Sequence, residues 1–175
     1  MAAHAASVAF FVRDPVSRFR SGFDDRRRKG QPRYFYEWTR AEAEAFAVFD
    51  TAEELGAALG ARGSRLRDRA TLAMTSIDHV RHTYVRTFGD LPQLRSLIHK
   101  VAFVGFQEEL AESFAAFKRF AGLPESLPLP ADDLNAHRSS GSRPPLSDDA
   151  ARNLRRWYED DYRIYDFLRD RFSRA

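Results

Sequence analysis

Arg13, Arg18 and Ser21 are the residues from which a chemistry can be argued. They lie in Val12-Arg13-Asp14-Pro15-Val16-Ser17-Arg18-Phe19-Arg20-Ser21, where an apolar run gives way to a helix start. A guanidinium presents a planar fork that matches two phosphate oxygens, and such charge-assisted hydrogen bonds are about twice as strong as neutral ones. At about 100° per residue, Asp14, Arg18, Ser21 and Asp25 fall on one side of a helix. Arg13 sits at the carboxyl end of the preceding strand, where ligands dock in open parallel sheets. Arg13, Arg18 and Ser21 can therefore converge on one dianionic phosphate. A second reading pairs Arg13 and Arg18 with Asp14 and Asp25 as surface ion pairs, which contribute little. Spacing leaves both open.

The elements that must position these groups follow from local pattern. Ser7 to Val12, an unbroken β-branched and apolar run, reads as a buried strand of a parallel sheet. Asp14 and Pro15 mark an N-cap and a first helical position, so a helix runs from Pro15 to about Lys29. Its stripe of Val16, Phe19 and Phe23 is expected on the sheet, with the polar stripe outward. Gly30, Gln31 and Pro32 break it, and the aromatic cluster Tyr34, Phe35, Tyr36, Trp38 follows. Thr39 with Glu42 and Thr51 with Glu54 are capping boxes that open two short helices. A further amphipathic segment runs from Ser64 to about Met74.

Tyr84 to Phe88 reads as a strand. Val101 to Phe106 is another buried strand, followed by a helix from Gln107 to Ala121 that Gly122 closes. Leu123 to Pro145 is proline-rich loop. Ser147 opens a last long helix to about Phe172, with Leu154, Trp157 or Tyr158, Ile164 or Tyr165, and Leu168 buried. The expected architecture is a single α/β domain over residues 1–175, a short parallel sheet flanked by helices.

Composition bounds the rest. A hydrophobic share of 43% with 15 Phe supplies a packed interior and excludes a disordered tail. The absence of cysteine excludes disulfides, thiolate catalysis and Cys-ligated metals. No apolar run approaches the roughly 20 residues that span a bilayer. Met1 to Val12 lacks the basic n-region of a signal peptide, so a cytoplasmic protein without a membrane partner is expected. The 28 cationic residues divide into 25 Arg and 3 Lys. Either GC-rich coding or anion recognition explains that bias. The run Arg26-Arg27-Arg28-Lys29 reads as a solvated helix terminus that complements the macrodipole. No aromatic interleaving favours nucleic acid there, so no nucleic-acid partner is expected.

Arg-Asp-Pro-x-x-Arg-x-x-Ser, at a strand end and opening a helix, resembles the 3′-phosphate-binding motif of sulfotransferases that use 3′-phosphoadenosine 5′-phosphosulfate. Asp78-His79-Val80-Arg81 is similar to the Asp-x-His-Phe-Arg-Pro-Gln neighbourhood of carbohydrate-type and bacterial members. Here the aspartate stands one place closer, and His82 and Thr83 replace Pro and Gln. Val104-Gly105-Phe106-Gln107-Glu108-Glu109-Leu110 resembles the family's Val-Gly-x-x-Glu-x-Leu turn. Leu146-Ser147 through Tyr158, Asp160, Asp161, Tyr162 and Tyr165 resembles its terminal helix. Together these stretches cover most of the chain, in order.

The resemblance implies an incomplete P-loop-nucleotide-kinase-like sulfotransferase fold in which Arg13 and Ser21 hold the nucleotide's 3′-phosphate. Arg18 would assist, and Arg138 would lie in a loop that closes near the nucleotide. The cofactor implied is 3′-phosphoadenosine 5′-phosphosulfate, as sulfuryl donor, with no metal; His79 and His82 without a matched carboxylate on one helix face do not make a metal site. His79 is the candidate general base, since imidazole is unprotonated near neutral pH; the alternative is a histidine that merely packs or hydrogen-bonds. The implied acceptor is a hydroxyl, on a glycan by likeness to carbohydrate-type members. The family's Pro-Lys-x-Gly-Thr-Thr phosphosulfate loop does not occur in these 175 residues. The expectation is a reading frame called short, a fragment or decayed copy, or a part supplied by another chain. The alternative function is accordingly a non-catalytic remnant or interaction module.

Overall fold

The computed structural model describes residues 7–129 and 144–173. Val8–Val12 (β1) and Val101–Phe106 (β2) pair in parallel, with Phe10 beside Val104 and Val12 beside Phe106. Seven helices connect them: α1 Pro15–Arg27, α2 Arg40–Phe46, α3 Ala52–Ala58, α4 Arg65–Ser76, α5 Asp78–Arg81, α6 Tyr84–Phe88 and α7 Leu91–Leu97. After β2 come a short 3₁₀ turn, Gln107–Glu109, then α8 Leu110–Ala121, α9 Asp148–Trp157 and α10 Glu159–Phe172. The fold is α/β, mostly helical, with one short two-stranded parallel sheet among the described residues. No helix of these residues is long and apolar enough to cross a membrane.

Local signals set most boundaries. The Asp14 side chain accepts from Ser17 N–H at 2.8 Å and Pro15 takes the first helical position. Both expected capping boxes form, and a third, Asp90 with Gln93, opens α7. Gly122 ends α8 in the left-handed region, at φ 64°.

Several expectations need correction. Tyr84–Phe88 is a helix, not a strand. Thr83 caps it by accepting from Arg86 N–H at 3.1 Å, and the Asp161 carboxylate accepts from Tyr84 and Val85 N–H at 2.9 and 3.2 Å. Four helix-terminal donors cannot go unpaired, and a distant acceptor overrides β propensity here. The last helix is two, divided at Tyr158, where φ is −98° and ψ 25°. The bend lets α9 face one core through Leu154 while α10 faces another through Ile164, Tyr165 and Leu168. Trp157 stays 36% exposed and Tyr158 is the buried ring.

The apolar stripe of α1 docks on helices rather than on the sheet. Phe19 lies 6.2 Å from Tyr158 and Phe23 5.4 Å from Phe46, centroid to centroid. These rings belong to a core built by α1 to α5 and α9, which offers more apolar surface than two strands can. Lastly, β1 is not buried along its length. Val8 is 48% and Phe11 39% exposed, and only Val12 is covered. Phe11 leans across the sheet onto Phe103 and Phe117; a Cβ at Gly105 would meet the Phe11 ring at 2.3 Å, so only glycine admits this crossing.

A buried ion pair organises the helical core. Arg26 Nε and Nη2 donate to the two oxygens of Glu42 at 2.7 and 2.9 Å, with both side chains 2% exposed or less. Glu42 also accepts from Thr39 and Asp78 N–H, joining α2 and α5 to α1. Arg26 therefore is no solvated terminus. Burial alone would raise the Glu42 carboxyl, but the Arg26 hydrogen bond and the two backbone donors bring it down to about 2.

In the unfolded chain Glu42 titrates near about 4.3. Its contribution is complete above that pH and is lost as pH falls from there towards about 2. Acid titration of stability, followed by urea unfolding, should show this loss in the parent and a weaker one in Glu42→Gln. That variant should itself be less stable by about 3–5 kcal/mol, because Arg26 is left buried without its partner.

Candidate functional site

β1 delivers the chain to a turn at Arg13 and Asp14 whose backbone is fully engaged. The Tyr84 hydroxyl accepts from Arg13 N–H at 2.7 Å and donates to the Arg13 carbonyl at 2.6 Å. Glu108, just past β2, accepts from Asp14 N–H at 2.8 Å and from the Tyr165 hydroxyl at 2.9 Å. The second Asp14 oxygen accepts from the Tyr162 hydroxyl at 2.8 Å. Burial, and then the adjoining carboxylates, push the Tyr162 and Tyr165 phenols well above their ordinary range, so they remain donors. The site therefore rests on three tyrosines and two carboxylates that clamp the strand-to-helix turn.

Arg18 is part of that clamp. Its Nη2 donates to Asp161, whose side chain is 2% exposed, and its guanidinium lies 4.2 Å from the Tyr84 ring centre. The other Asp161 oxygen receives the α6 N–H groups. So the polar stripe of α1 does not face outward: Asp14 and Arg18 are turned onto α10 and α6. The pairing partners also differ from those that spacing suggested, since neither Asp14 nor Asp25 pairs with Arg13 or Arg18.

Arg13 and Ser21 differ from Arg18. Both side chains are half-buried, and neither makes a side-chain hydrogen bond or ion pair among the described residues. Ser21 lies six residues beyond Pro15, about 9 Å of helix rise. Neighbouring Arg20 donates to the Pro144 carbonyl, where the chain returns from residues 130–143. Arg138 lies outside the described residues.

His79 is on α5, against α1. A Cβ at Gly22 would stand 2.9 Å from the His79 Cβ, so glycine there permits the approach. Its Nδ1 is 3.2 Å from Asp25 Oδ2, and the same oxygen accepts from the Tyr34 hydroxyl at 2.6 Å. A carboxylate at Nδ1 holds the proton on that nitrogen and leaves the Nε2 lone pair outward. The side chain is 43% exposed. Asp25 and Tyr34 were not legible as site residues, because they meet His79 only through packing of α5 on α1. His82 is instead engaged by Asp78 at 3.2 Å. Among the described residues no three of His, Cys, Asp and Glu are grouped to hold a metal ion.

The basic run is also interleaved with aromatics, contrary to expectation. Lys29 Nζ lies 4.9 Å from the Trp38 ring centre and 5.5 Å from that of Phe35, while Arg26 is 5.2 Å from Tyr36. A separate cleft of about 760 Å³ between α3, α4 and α9, bordered by Arg62, Arg152 and Arg156, shares no residue with these groups.

No protein-family model, curated protein or solved structure matches the chain.

Two outcomes follow from the geometry. Arg18→Met strands the buried Asp161 carboxylate and should lower stability by about 3–5 kcal/mol, whereas Arg13→Met should change it by no more than about 0.5 kcal/mol; denaturant unfolding of both variants measures the contrast. Nitrogen-15 NMR of the imidazoles should find neutral His79 protonated at Nδ1, and Asp25→Ala should return it to a mixed tautomer population.

Proposed function

We propose that the protein binds 3′-phosphoadenosine 5′-phosphosulfate and acts in transfer of its sulfuryl group to an acceptor hydroxyl, as a sulfotransferase-type protein. The observation that carries this reading is the pair Arg13 and Ser21: two half-buried polar side chains without side-chain partners among the described residues, following a strand tip whose Arg13 and Asp14 backbone groups are all engaged. Both groups reach water, and a phosphate that displaces that water can take up their donors. The guanidinium gives a bidentate fork and the hydroxyl a directional third bond. Arg18, with its charge matched by Asp161, positions the turn and leaves the phosphate to Arg13. The nucleotide's 3′-phosphate is the ligand that the resemblance of this segment suggests.

In this reading the bond between sulfur and the bridging phosphate oxygen breaks, and a sulfur–oxygen bond to the acceptor forms. 3′,5′-Adenosine bisphosphate leaves with the electron pair, and the acceptor's hydroxyl proton passes to His79 Nε2. Such transfer has a loose transition state, so catalysis is mostly positioning and charge stabilisation. The Asp25 carboxylate, at Nδ1, orients the ring for that role.

A second reading, a nucleotide-binding module without turnover of its own, is favoured by the exposure of Val8 and Phe11. A parallel strand ordinarily has both faces and both edges covered. Isolated from any further polypeptide, the chain would then bind nucleotide and transfer nothing.

Titration calorimetry with 3′,5′-adenosine bisphosphate tests what the two readings share. Saturable binding is expected, weakened at least about tenfold in Arg13→Ala and roughly 10–150-fold in Ser21→Ala, which corresponds to about 1.5–3 kcal/mol per hydrogen bond to a charged group. Adenosine 5′-phosphate, which lacks the 3′-phosphate, should bind parent and variants alike. Equal affinity of parent and Arg13→Ala for the bisphosphate removes the assignment. Release of labelled sulfate onto an acceptor then separates the enzyme from the module.

A further inference from the structure

The cleft between α3, α4 and α9 shares no residue with the turn at Arg13 or with the His79 contacts. It exists because the chain leaving α3 carries small side chains: Ala57, Ala58, Gly60 and Ala61 line it with nothing larger than a methyl group. Val48 and Phe49, at the margin of the helical core, add apolar wall. Leu66 of α4 also lines it and is 45% exposed. The volume, about 760 Å³, is that of a small-molecule site, for which about 300–1,000 Å³ is usual. The carboxyl end of a helix ordinarily presents open carbonyls that repel an anion. At α3 they are taken up: Asn153 Nδ2 donates to the Gly56 and Ala57 carbonyls at 3.2 and 3.3 Å, and Ala61 N–H donates to that of Ala58 at 3.1 Å.

Charge narrows the ligand. Five charged side chains line the cleft: Glu54, Arg62, Asp149, Arg152 and Arg156. Three of them are engaged. Asp149 accepts from Arg152 Nη1 at 2.7 Å, and Glu54 accepts from the Asp50 and Thr51 N–H groups at 2.8 and 3.3 Å. The guanidiniums of Arg62 and Arg156 make no hydrogen bond, ion pair or ring contact among the described residues. The positive excess extends along α4, where Arg65, Arg67 and Arg69 stand with Asp68 as the one acid. A purely polar anion would meet these forks and leave the apolar wall wet, while a neutral apolar ligand would cover the wall and leave both forks without a partner. A ligand with an apolar body and an acid group uses both.

We propose that this cleft binds an amphipathic organic anion, its apolar body against Phe49, Ala58 and Leu66 and its carboxylate or sulfonate held by Arg62 and Arg156. The site does not rest on the sulfuryl-transfer reading above and uses none of its residues.

The test is titration of the whole chain with 8-anilinonaphthalene-1-sulfonate, followed by fluorescence and calorimetry, beside N-phenyl-1-naphthylamine, which has the same rings and no charge. The sulfonate should bind saturably. The uncharged probe should bind the parent at least about tenfold more weakly, the loss expected when hydrogen bonds to a charged group are removed. Arg62→Ala/Arg156→Ala should weaken the sulfonate by a similar factor and leave the uncharged probe unchanged, whereas Leu66→Glu should weaken both at least about threefold. All three side chains are exposed, so the variants should keep the parent's thermal midpoint. Arg13→Ala should leave sulfonate binding unchanged, and Arg62→Ala/Arg156→Ala should keep the parent's affinity for 3′,5′-adenosine bisphosphate, so each site is tested without the other. The proposal is overturned if the sulfonate does not saturate up to about 1 mM, if its affinity survives the double arginine substitution, or if the uncharged probe binds the parent as tightly.

Discussion

The contact on which the arrangement depends is the ion pair between Arg18 of α1 and Asp161 of α10. Asp161 is almost wholly withdrawn from water, a state that a carboxylate tolerates only with a cation and hydrogen-bond donors around it. It receives the guanidinium on one oxygen and two helix-terminal N–H groups on the other. That one side chain therefore fixes three elements: the helix after β1, the last helix, and the start of α6. Tyr84, placed by the cap, then reaches back to hold both backbone groups of Arg13. The strand tip is positioned from a helix more than seventy residues away in sequence.

The same pair spans the boundary between the two apolar clusters. Phe19 and Phe23 of α1 belong to the helical core, and Ile164, Tyr165 and Leu168 of α10 to the core against the sheet. The bend at Tyr158 is where the chain passes from one to the other; its ring stays with Phe19 and its hydroxyl reaches the Val80 carbonyl at 3.1 Å. On the far side of α1, Arg26 with Glu42 does for α2 and α5 what Arg18 with Asp161 does for α6 and α10. Two charged anchors on one helix, two turns apart, thus hold the strand tip and the His79 turn in a fixed relation. Glycine at position 22, between them, lets α5 close down.

Local signals were legible in the sequence and long-range ones were not. The caps at Asp14, Thr39 and Thr51 depend on residues within three positions, and β1, β2 and the α8 helix show their type in unbroken runs or helical spacing. Tyr84 to Phe88 misleads because its composition is β-prone, while its helix is decided by a carboxylate seventy-seven residues away. Arg18 looked like a phosphate ligand because its spacing from Arg13 and Ser21 is right; what occupies it lies in the last helix. The contact of Asp25 with His79 and Tyr34 is likewise made by packing, of α5 on α1, and not by spacing. The exposed flank of β1 was hidden by its composition, since an apolar run announces a strand but not whether anything covers it.

The central claim is a division of labour at one turn: Arg18 is spent on Asp161, and Arg13 with Ser21 is left for an anion. A crystal structure of the chain with 3′,5′-adenosine bisphosphate addresses it most directly. The account predicts the 3′-phosphate within hydrogen-bonding distance of the Arg13 guanidinium and the Ser21 hydroxyl, with Arg18 still on Asp161. A phosphate seated elsewhere, or one held by an Arg18 that has left Asp161, would contradict it.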